Sequence, residues 1–364
     1  MPPRVSVIGA GIAGASTAFA LARKGAAVTI VEAGDEGQAT AASAGIIAPW
    51  GSTADGALYD ALAAGAEFYP GLLAALADAG VTRTDYRRAG ALYVHRDPAV
   101  LAEAEERIRR RVGRSAGVAG AVHRLEPTEV RARMPVLAED LSGVLVEGGA
   151  RVDGRTLAAG LLRAAQNLGA ELTRGRASLA AGPGHAEVRV DGQPVAADAV
   201  VIATGAWTNR ILADLGHAVA VAPQRGQITH LQLDGVRTEN WPTVHPLSHH
   251  YLVPFDDGRI VAGATRETGS GFDPRVTAAG QLQILRDALG IAPGLAGATH
   301  IETRVGLRPF PDHLPVVGPL PGQERIYLAT GYGANGLTVG PLLGDALARA
   351  VLGEPAPELA AFTP

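Results

Sequence analysis

Residues 4–14 read RVSVIGAGIAG, and this stretch decides the fold. The apolar run Arg4–Ile8 is typical of a buried strand, and it leads directly into a complete G-x-G-x-x-G motif. Ala15–Lys24 then predicts a helix, and Ala27–Val31 predicts a second apolar strand, which is followed by Glu32. The order of strand, glycine turn, helix and strand predicts a βαβ unit that binds a nucleotide.

Each glycine of the motif has its own physical reason. Gly9 allows the tight turn, Gly11 lets a pyrophosphate approach the backbone, and Gly14 lets the helix pack close to the strands. The amides at the helix N-terminus then face the phosphates. Glu32 is placed to accept the ribose hydroxyls, and its charge would repel a 2′-phosphate. The alternative is a small-residue packing contact without a ligand, which the complete context of the motif disfavours.

The composition restricts the class of protein and the kinds of site that the chain can form. The chain has 364 residues, 47% of them hydrophobic and 19% charged, which suits one large domain or two domains with a sizeable core. A net charge of −4 argues against nucleic acid as the main partner. Cysteine is absent, which excludes disulfides, thiolate catalysis, Cys-ligated metals and a flavin linked through a cysteine sulfur. We predict no metal site.

The nucleotide motif explains the uncharged run Val5–Ala22 better than a membrane span does, so we expect a cytoplasmic protein.

Strand and helix patterns continue along the chain. Ala57–Ala79 predicts a helix broken near Pro70. Tyr251–Phe255 and Arg259–Ala264 predict a hairpin around an Asp-Gly turn. Leu337–Gly353 predicts a closing helix. The whole therefore indicates an α/β protein.

These pieces, in this order, resemble the FAD-dependent amine oxidases of the D-amino acid oxidase and glycine oxidase family, which includes sarcosine oxidase and the D-amino acid dehydrogenases. Glycine oxidase looks like the nearest branch. After the N-terminal motif, the most family-specific run is GLRPFPDHLPVVG at residues 306–318. The stretches that carry the resemblance are Val7–Glu32, Gly149–Ala170, Ala199–Trp207, Pro223–Gln227, Tyr251–Thr265, Gly306–Gly318 and Gly331–Leu337.

The resemblance implies a two-domain fold: a Rossmann-like FAD-binding domain of the glutathione-reductase type, plus an α+β substrate domain built on an antiparallel sheet. The FAD-binding domain is expected to be discontinuous, over residues 1–85, 143–218 and 304–364. The substrate-binding domain is expected over residues 86–142 and 219–303. The flavin ring would lie between the two domains.

By matching motif, the resemblance implies a set of residues that hold non-covalent FAD. Its pyrophosphate and ribose would contact the first glycines and Glu32, and its flavin would lie against the N-terminus of the last helix, which would stabilise the reduced, anionic flavin. The implied cofactor-binding residues are Gly9, Gly11, Ile12, Ala13, Gly14, Glu32, Ala33, Thr40, Ser43, Ala44, Gly45, Ile46, Ala177, Ala203, Gly205, Trp207, Arg308, Tyr332, Gly333, Ala334, Asn335, Gly336, Leu337 and Thr338.

The resemblance also implies a substrate site. Arg308 would bind the substrate carboxylate as a bidentate pair, Tyr251 would hydrogen-bond the same group, and His249 would lie nearby. Two positions depart from the glycine oxidase pattern: Ala334 replaces a basic residue, and Arg266 replaces a methionine. Arg266 either meets the substrate side chain, which would favour a carboxylate-bearing substrate, or points to solvent. Both departures count against glycine itself.

The implied activity is FAD-dependent oxidation of the C–N bond of a small amino acid or secondary amine. Hydride passes to flavin N5, and the resulting imine hydrolyses to an oxo acid. Oxygen or a quinone or other electron carrier would reoxidise the flavin, and a homo-oligomer stays open. The alternatives are a 2-hydroxy acid oxidase or dehydrogenase with His249 as base, and a non-catalytic flavin subunit of a complex. An NAD enzyme fits the glycine motif equally well but not the C-terminal elements.

Overall fold

A computed structural model describes residues 1–115, 117–182 and 185–364 of the chain. Over these ranges the α-helices are α1 Ile12–Arg23, α2 Gly56–Asp78, α3 Pro98–Val112, α4 Pro127–Arg133, α5 Gly154–Asn167, α6 Thr208–Leu212, α7 Ala278–Ile291 and α8 Gly336–Val351. The β-strands are β1 Arg4–Ile8, β2 Ala27–Glu32, β3 Ile46–Ile47, β4 Arg87–Arg88, β5 Ala91–His95, β6 Val122–Leu125, β7 Ser142–Val146, β8 Ala150–Arg151, β9 Glu171–Arg174, β10 Ala177–Gly182, β11 His185–Val190, β12 Gln193–Val195, β13 Ala199–Ile202, β14 Val221–Gln232, β15 Thr243–His245, β16 Tyr251–Pro254, β17 Arg259–Gly263, β18 Glu267–Thr268, β19 Thr299–Pro311, β20 Val316–Pro319 and β21 Ile326–Thr330.

The first sheet has six strands in the order β20-β21-β13-β1-β2-β9. All of its pairs are parallel except β20 with β21. Helices α1, α2, α5 and α8 share one core on one side of this sheet, and the β10-β11-β12 meander shares another core with the sheet strands. Parallel strands covered in this way read as continuous apolar runs, as β1 and β2 do. The predicted βαβ unit is confirmed in β1, α1 and β2.

Glycines set how closely α1 packs. A Cβ built on Gly14 would overlap the carbonyl oxygen of Gly9, so the start of α1 lies directly on the turn that precedes it. A Cβ on Gly344 of α8 would lie 2.7 Å from the Cβ of Ser16. The two helices therefore approach backbone to backbone, as small residues allow.

The second sheet contains nine strands, in the order β18-β14-β17-β16-β15-β5-β7-β6, with β19 also paired to β14. Its longest pair is β14 with β19, which run antiparallel from Val221 opposite Pro311 to Gln232 opposite Thr299. The predicted hairpin of β16 and β17 is confirmed, with Leu252 opposite Ala262. One face of this sheet packs on α4 and α7 around buried aliphatic residues.

The predicted break of the second helix is wrong. Helix α2 runs without interruption from Gly56 to Asp78 and contains Pro70. Pro70 is exposed, whereas Tyr69 and Leu72 on either side are buried in the core. One missing N–H costs little here because the turns before and after it are anchored by packing.

The predicted domain boundaries at residues 143 and 304 fall inside β7 and β19, and both strands belong to the second sheet. The division into an FAD-binding and a substrate-binding domain remains a prediction, and we propose that its limits follow the ends of these strands. Among the helices of the described ranges, none combines the length and the apolar character that crossing a membrane requires.

Candidate active site

An elongated cavity begins at the carboxyl ends of β1, β2 and β13 and continues to β14, β16 and β19 of the second sheet. Its empty volume is about 1710 Å³, counting the part open to solvent. Its lining runs from the glycine turn at Gly9 and Gly11 to Tyr251 and Arg308, so elements of both sheets contribute to one continuous site.

The cavity brings together nearly all the residues that the sequence predicts for the site. Those that line it are Gly9, Gly11, Ile12, Ala13, Glu32, Ala33, Thr40, Ser43, Ala44, Gly45, Ile46, Ala177, Ala203, Gly205, Trp207, His249, Tyr251, Arg308, Tyr332, Gly333, Ala334, Gly336, Leu337 and Thr338. Gly14 and Asn335 lie outside the described lining. Gly14 acts through helix packing, and Asn335 is the N-cap residue of α8.

The glycine turn leaves no space for side chains between β1 and β13. Gly9 has φ +104°, and a Cβ there would lie 2.5 Å from the carbonyl oxygen of Ala203. At Gly11 a Cβ would lie 3.3 Å from Oγ1 of Thr40, a hydroxyl that accepts a hydrogen bond from the Ile12 amide at 3.0 Å. Backbone is thus exposed to the cavity at the point where α1 begins, which is the arrangement that binds a pyrophosphate.

The Glu32 carboxylate is fixed by three donors. Its Oε2 accepts from the Ala10 amide at 2.7 Å, and its Oε1 accepts from the Gly34 amide at 2.7 Å. Gln38 Nε2 donates to the same Oε1 at 2.9 Å. An acid held at the end of the second strand in this way is suited to accept ribose hydroxyls.

The far end of the cofactor half is formed by the N-terminus of α8. Gly333, Gly336 and Leu337 line the cavity at the start of this helix. Thr338 Oγ1 donates to the carbonyl oxygen of Ile46 at 3.1 Å and so joins α8 to β3. The positive end of the helix dipole therefore faces the cavity and favours negative charge there.

Arg308 lies at the end of the cavity formed by the second sheet. On β19 it pairs directly with Gln224, and its guanidinium lies so close to Gly226 that a Cβ on Gly226 would overlap it. Its Nη1 donates to the Thr265 carbonyl oxygen at 3.0 Å and to Gln224 Oε1 at 3.5 Å. Both acceptors are neutral, so no carboxylate of the described chain hydrogen-bonds this guanidinium.

Glu267, an acid whose charge acts on Arg308, is already held by other donors. Glu267 Oε2 accepts from Arg225 Nη2 at 2.6 Å, and Glu267 Oε1 accepts from Gln227 Nε2 and Thr265 Oγ1, each at 2.7 Å. Burial lowers the pKa of Arg308, and Tyr251 and Glu267 offset this only in part. Arg308 is therefore a cation with unused hydrogen-bond donors at the cavity wall.

Tyr251, Arg266 and His249 complete this end of the cavity. Burial raises the pKa of Tyr251, and the charges of Arg308 and Arg266 reduce the rise. The phenol therefore stays protonated at neutral pH and can donate a hydrogen bond. Arg266 and His249 are both exposed at the cavity.

The family follows from a direct match. Residues 4–350 fit the family model described as DAO, FAD-dependent oxidoreductase. The chain belongs to this DAO family of FAD-dependent oxidoreductases. Its cofactor is FAD, and amine-oxidising flavoenzymes are among its relatives.

Individual members of the DAO family match over nearly the whole chain. The crystal structure of iminodiacetate oxidase from Chelativorans sp. BNC1 is 48% identical, covers 99% of both chains and superposes with a TM-score of 0.97. An uncharacterized oxidoreductase, YurR of Bacillus subtilis, is 46% identical over 96% of this chain and 94% of its own length. Glycine oxidase of Pseudomonas aeruginosa is 30% identical over 98% of both.

The described residues fit FAD on two structural grounds. The glycine cradle between Gly9 and Gly11 excludes side chains where a pyrophosphate has to approach. The fixed Glu32 carboxylate provides the ribose acceptor at the required distance along the chain.

The sequence prediction missed several lining residues, among them Gln38, Arg176 and Gly226. Gln38 opens a segment of small apolar residues, so its polar side chain was a usable signal. Arg176 pairs with Asp35 at 2.9 Å and Gly226 contacts Arg308. These two contacts join residues more than 80 positions apart, and they have no local signature.

Proposed function

We propose that this chain catalyses the FAD-dependent oxidation of the C–N bond of a small amino acid or secondary amine, and that Arg308 binds the carboxylate of this substrate. One observation carries the proposal: a guanidinium at the cavity wall whose described hydrogen-bond partners, Thr265 and Gln224, are both neutral. Leaving a desolvated charge without a counter-charge is costly, so the missing anion is expected from the ligand.

The chain's own groups bind and orient the substrate. Arg308 donates two parallel hydrogen bonds to the carboxylate, and the protonated Tyr251 donates a third, which also fixes the carbon next to the carboxylate. FAD, when bound, accepts the two electrons and the hydrogen from this carbon. The amine has to be neutral for this step, and His249 lines the same end of the cavity.

The names of the relatives support the same class of reaction. The relatives with 48% and 30% identity are named for iminodiacetate and for glycine, and both compounds carry an amine next to an acetate carbon. Oxidation removes a hydride from that carbon and a proton from the nitrogen, water adds to the resulting imine, and the C–N bond breaks to give an oxo acid and ammonia or an amine. We propose the same overall chemistry for this chain.

The test uses the purified yellow holoprotein without oxygen. Glycine, sarcosine, iminodiacetate, L-proline, D-alanine, D-aspartate and the matching 2-hydroxy acids are added one at a time, and the visible flavin band is followed. We expect loss of the band with at least one amine and an oxo acid among the products. Loss of the band with 2-hydroxy acids alone, or with none of these compounds, contradicts amine oxidation. Admission of air to the reduced protein then shows whether oxygen is the acceptor.

A further inference from the structure

Two arginines with no acidic partner share the end of the cavity that faces the second sheet. Arg308 donates only to neutral oxygens, and Arg266 makes no hydrogen bond or ion pair with the residues that the structure describes. Both line the same cavity beside Tyr251. Arg266 is also close enough to Arg308 for its charge to disfavour the charged form of Arg308 and so lower its pKa.

The acids near these arginines are occupied elsewhere. Glu267 follows Arg266 directly, yet its carboxylate is held by Arg225, Gln227 and Thr265. The described acids that line the cavity are Glu32 and Asp35. Glu32 ends β2 and is held by backbone amides, and Asp35 lies on the loop after β2 and is held by Arg176. Neither arginine has a counter-charge in the cavity.

Other exposed arginines of this region do have partners. The guanidinium of Arg210, which also lines the cavity, stacks over the Phe272 ring with Cζ 4.0 Å from its centre. Arg275 pairs with Asp273 at 2.9 Å. Arg266 differs from both, because no carboxylate or aromatic ring of the described chain contacts its guanidinium.

The charge balance points to the ligand. A substrate with one carboxylate supplies one negative charge to this pair of guanidiniums, whereas a substrate with two carboxylates supplies one to each. Hydrogen bonds between a guanidinium and a carboxylate are roughly twice as strong as those between neutral groups. Resting on the proposed function, we propose that Arg266 binds a second carboxylate, so that the cavity selects amines with two carboxylates over amines with one.

The experiment compares two amines that differ by one carboxylate. Iminodiacetate is sarcosine with a carboxylate added to the N-methyl carbon, and both are used with the holoenzyme. We expect kcat/KM to be higher for iminodiacetate, and the ratio of the two values to fall by about 10- to 100-fold in Arg266→Met. Arg266→Lys should restore part of the ratio because it keeps the charge but not the bidentate geometry.

A binding measurement separates this role from an effect on turnover. Thiodiacetate and (methylthio)acetate replace the amine of the two substrates by sulfur, and their binding is followed by the change in the visible flavin spectrum. The preference for thiodiacetate should fall in Arg266→Met by a similar factor. Arg286→Met is the matched control, because Arg286 is an exposed arginine of α7 that pairs with Asp287 outside the cavity lining.

The outcomes distinguish the two proposals. If the amines reduce the flavin but the ratio of iminodiacetate to sarcosine is the same in wild type and Arg266→Met, the second-carboxylate site is refuted and amine oxidation stands. An equal fall in Arg286→Met refutes it too, because a general effect of charge would then explain the result. If none of the amines reduces the flavin, the proposed function itself fails.

Discussion

A methyl group placed on Gly226 should disable the substrate site while leaving the fold and the cofactor site intact. The Cβ of Gly226→Ala would overlap the Arg308 guanidinium, and ordinary van der Waals contact begins at 3.4 Å. The guanidinium therefore has to move by about 1 Å, a displacement of the size that costs roughly 100-fold in a positioned site. The overlapping atoms are the end of a flexible side chain, so the backbone need not move.

The assay measures binding and reaction separately. We expect the dissociation constant of (methylthio)acetate, and the half-saturating substrate concentration for anaerobic flavin reduction, to rise by about 100-fold in Gly226→Ala. FAD content and the melting temperature should stay near those of the wild type. Gly290→Ala is the control, because a Cβ on Gly290 of α7 meets no described atom within 4 Å beyond its chain neighbours and the adjacent backbone of its own helix.

Two results would refute this reasoning. Unchanged ligand binding in Gly226→Ala would mean that the position of Arg308 does not matter to the carboxylate. Loss of FAD together with loss of ligand binding would mean that Gly226 supports the fold rather than the arginine.

Two further predictions concern the cofactor and pH. Glu32→Gln should weaken FAD binding by about 10- to 100-fold, because the ribose loses a charged acceptor; titration of the apoprotein measures this, and an unchanged affinity would contradict the role of Glu32. His230 is buried, and this burial, with Arg304 and Arg259 nearby, lowers its pKa from 6.5 to about 4, although Glu302 and Asp153 act in the opposite direction. Between pH 4 and pH 6.5 the imidazole of His230 is therefore protonated more in the unfolded chain than in the folded one. His230 should contribute roughly 3 kcal/mol to the free energy of unfolding above pH 6.5, and this contribution is lost as the pH falls to 4. Measured by denaturant unfolding, the free energy of unfolding should depend less steeply on pH over this range in His230→Gln than in wild type. An equal pH dependence would refute the lowered pKa of His230.

The nucleotide half of the molecule was predictable because its signals are local. Residues 4–32 contain the strand, the glycine turn, the helix and the acid in one continuous segment, and each residue type has a single geometric reason. Gly9 and Glu32 both line the cavity, as that reasoning requires. Their contacts with FAD remain predictions.

The substrate half depends on contacts that a single sequence does not display. Arg308 meets Gly226, 82 residues away, because β14 and β19 pair in one register. It meets Thr265, 43 residues away, because the Thr265 amide donates to the Gln227 carbonyl oxygen on β14. Resemblance to a family identified Arg308, but the contact with Gly226 has no sequence signature. The break expected at Pro70 failed for a related reason, since packing on both sides outweighed a local preference.

The most direct test of the account is anaerobic flavin reduction by iminodiacetate in wild type and in Arg308→Met, at substrate concentrations up to saturation. The account predicts that Arg308→Met keeps its FAD and is reduced, but that half-saturation rises by at least about 100-fold, because two charge-assisted hydrogen bonds are lost. The same saturation curve for both proteins would contradict the central claim that Arg308 binds the substrate carboxylate.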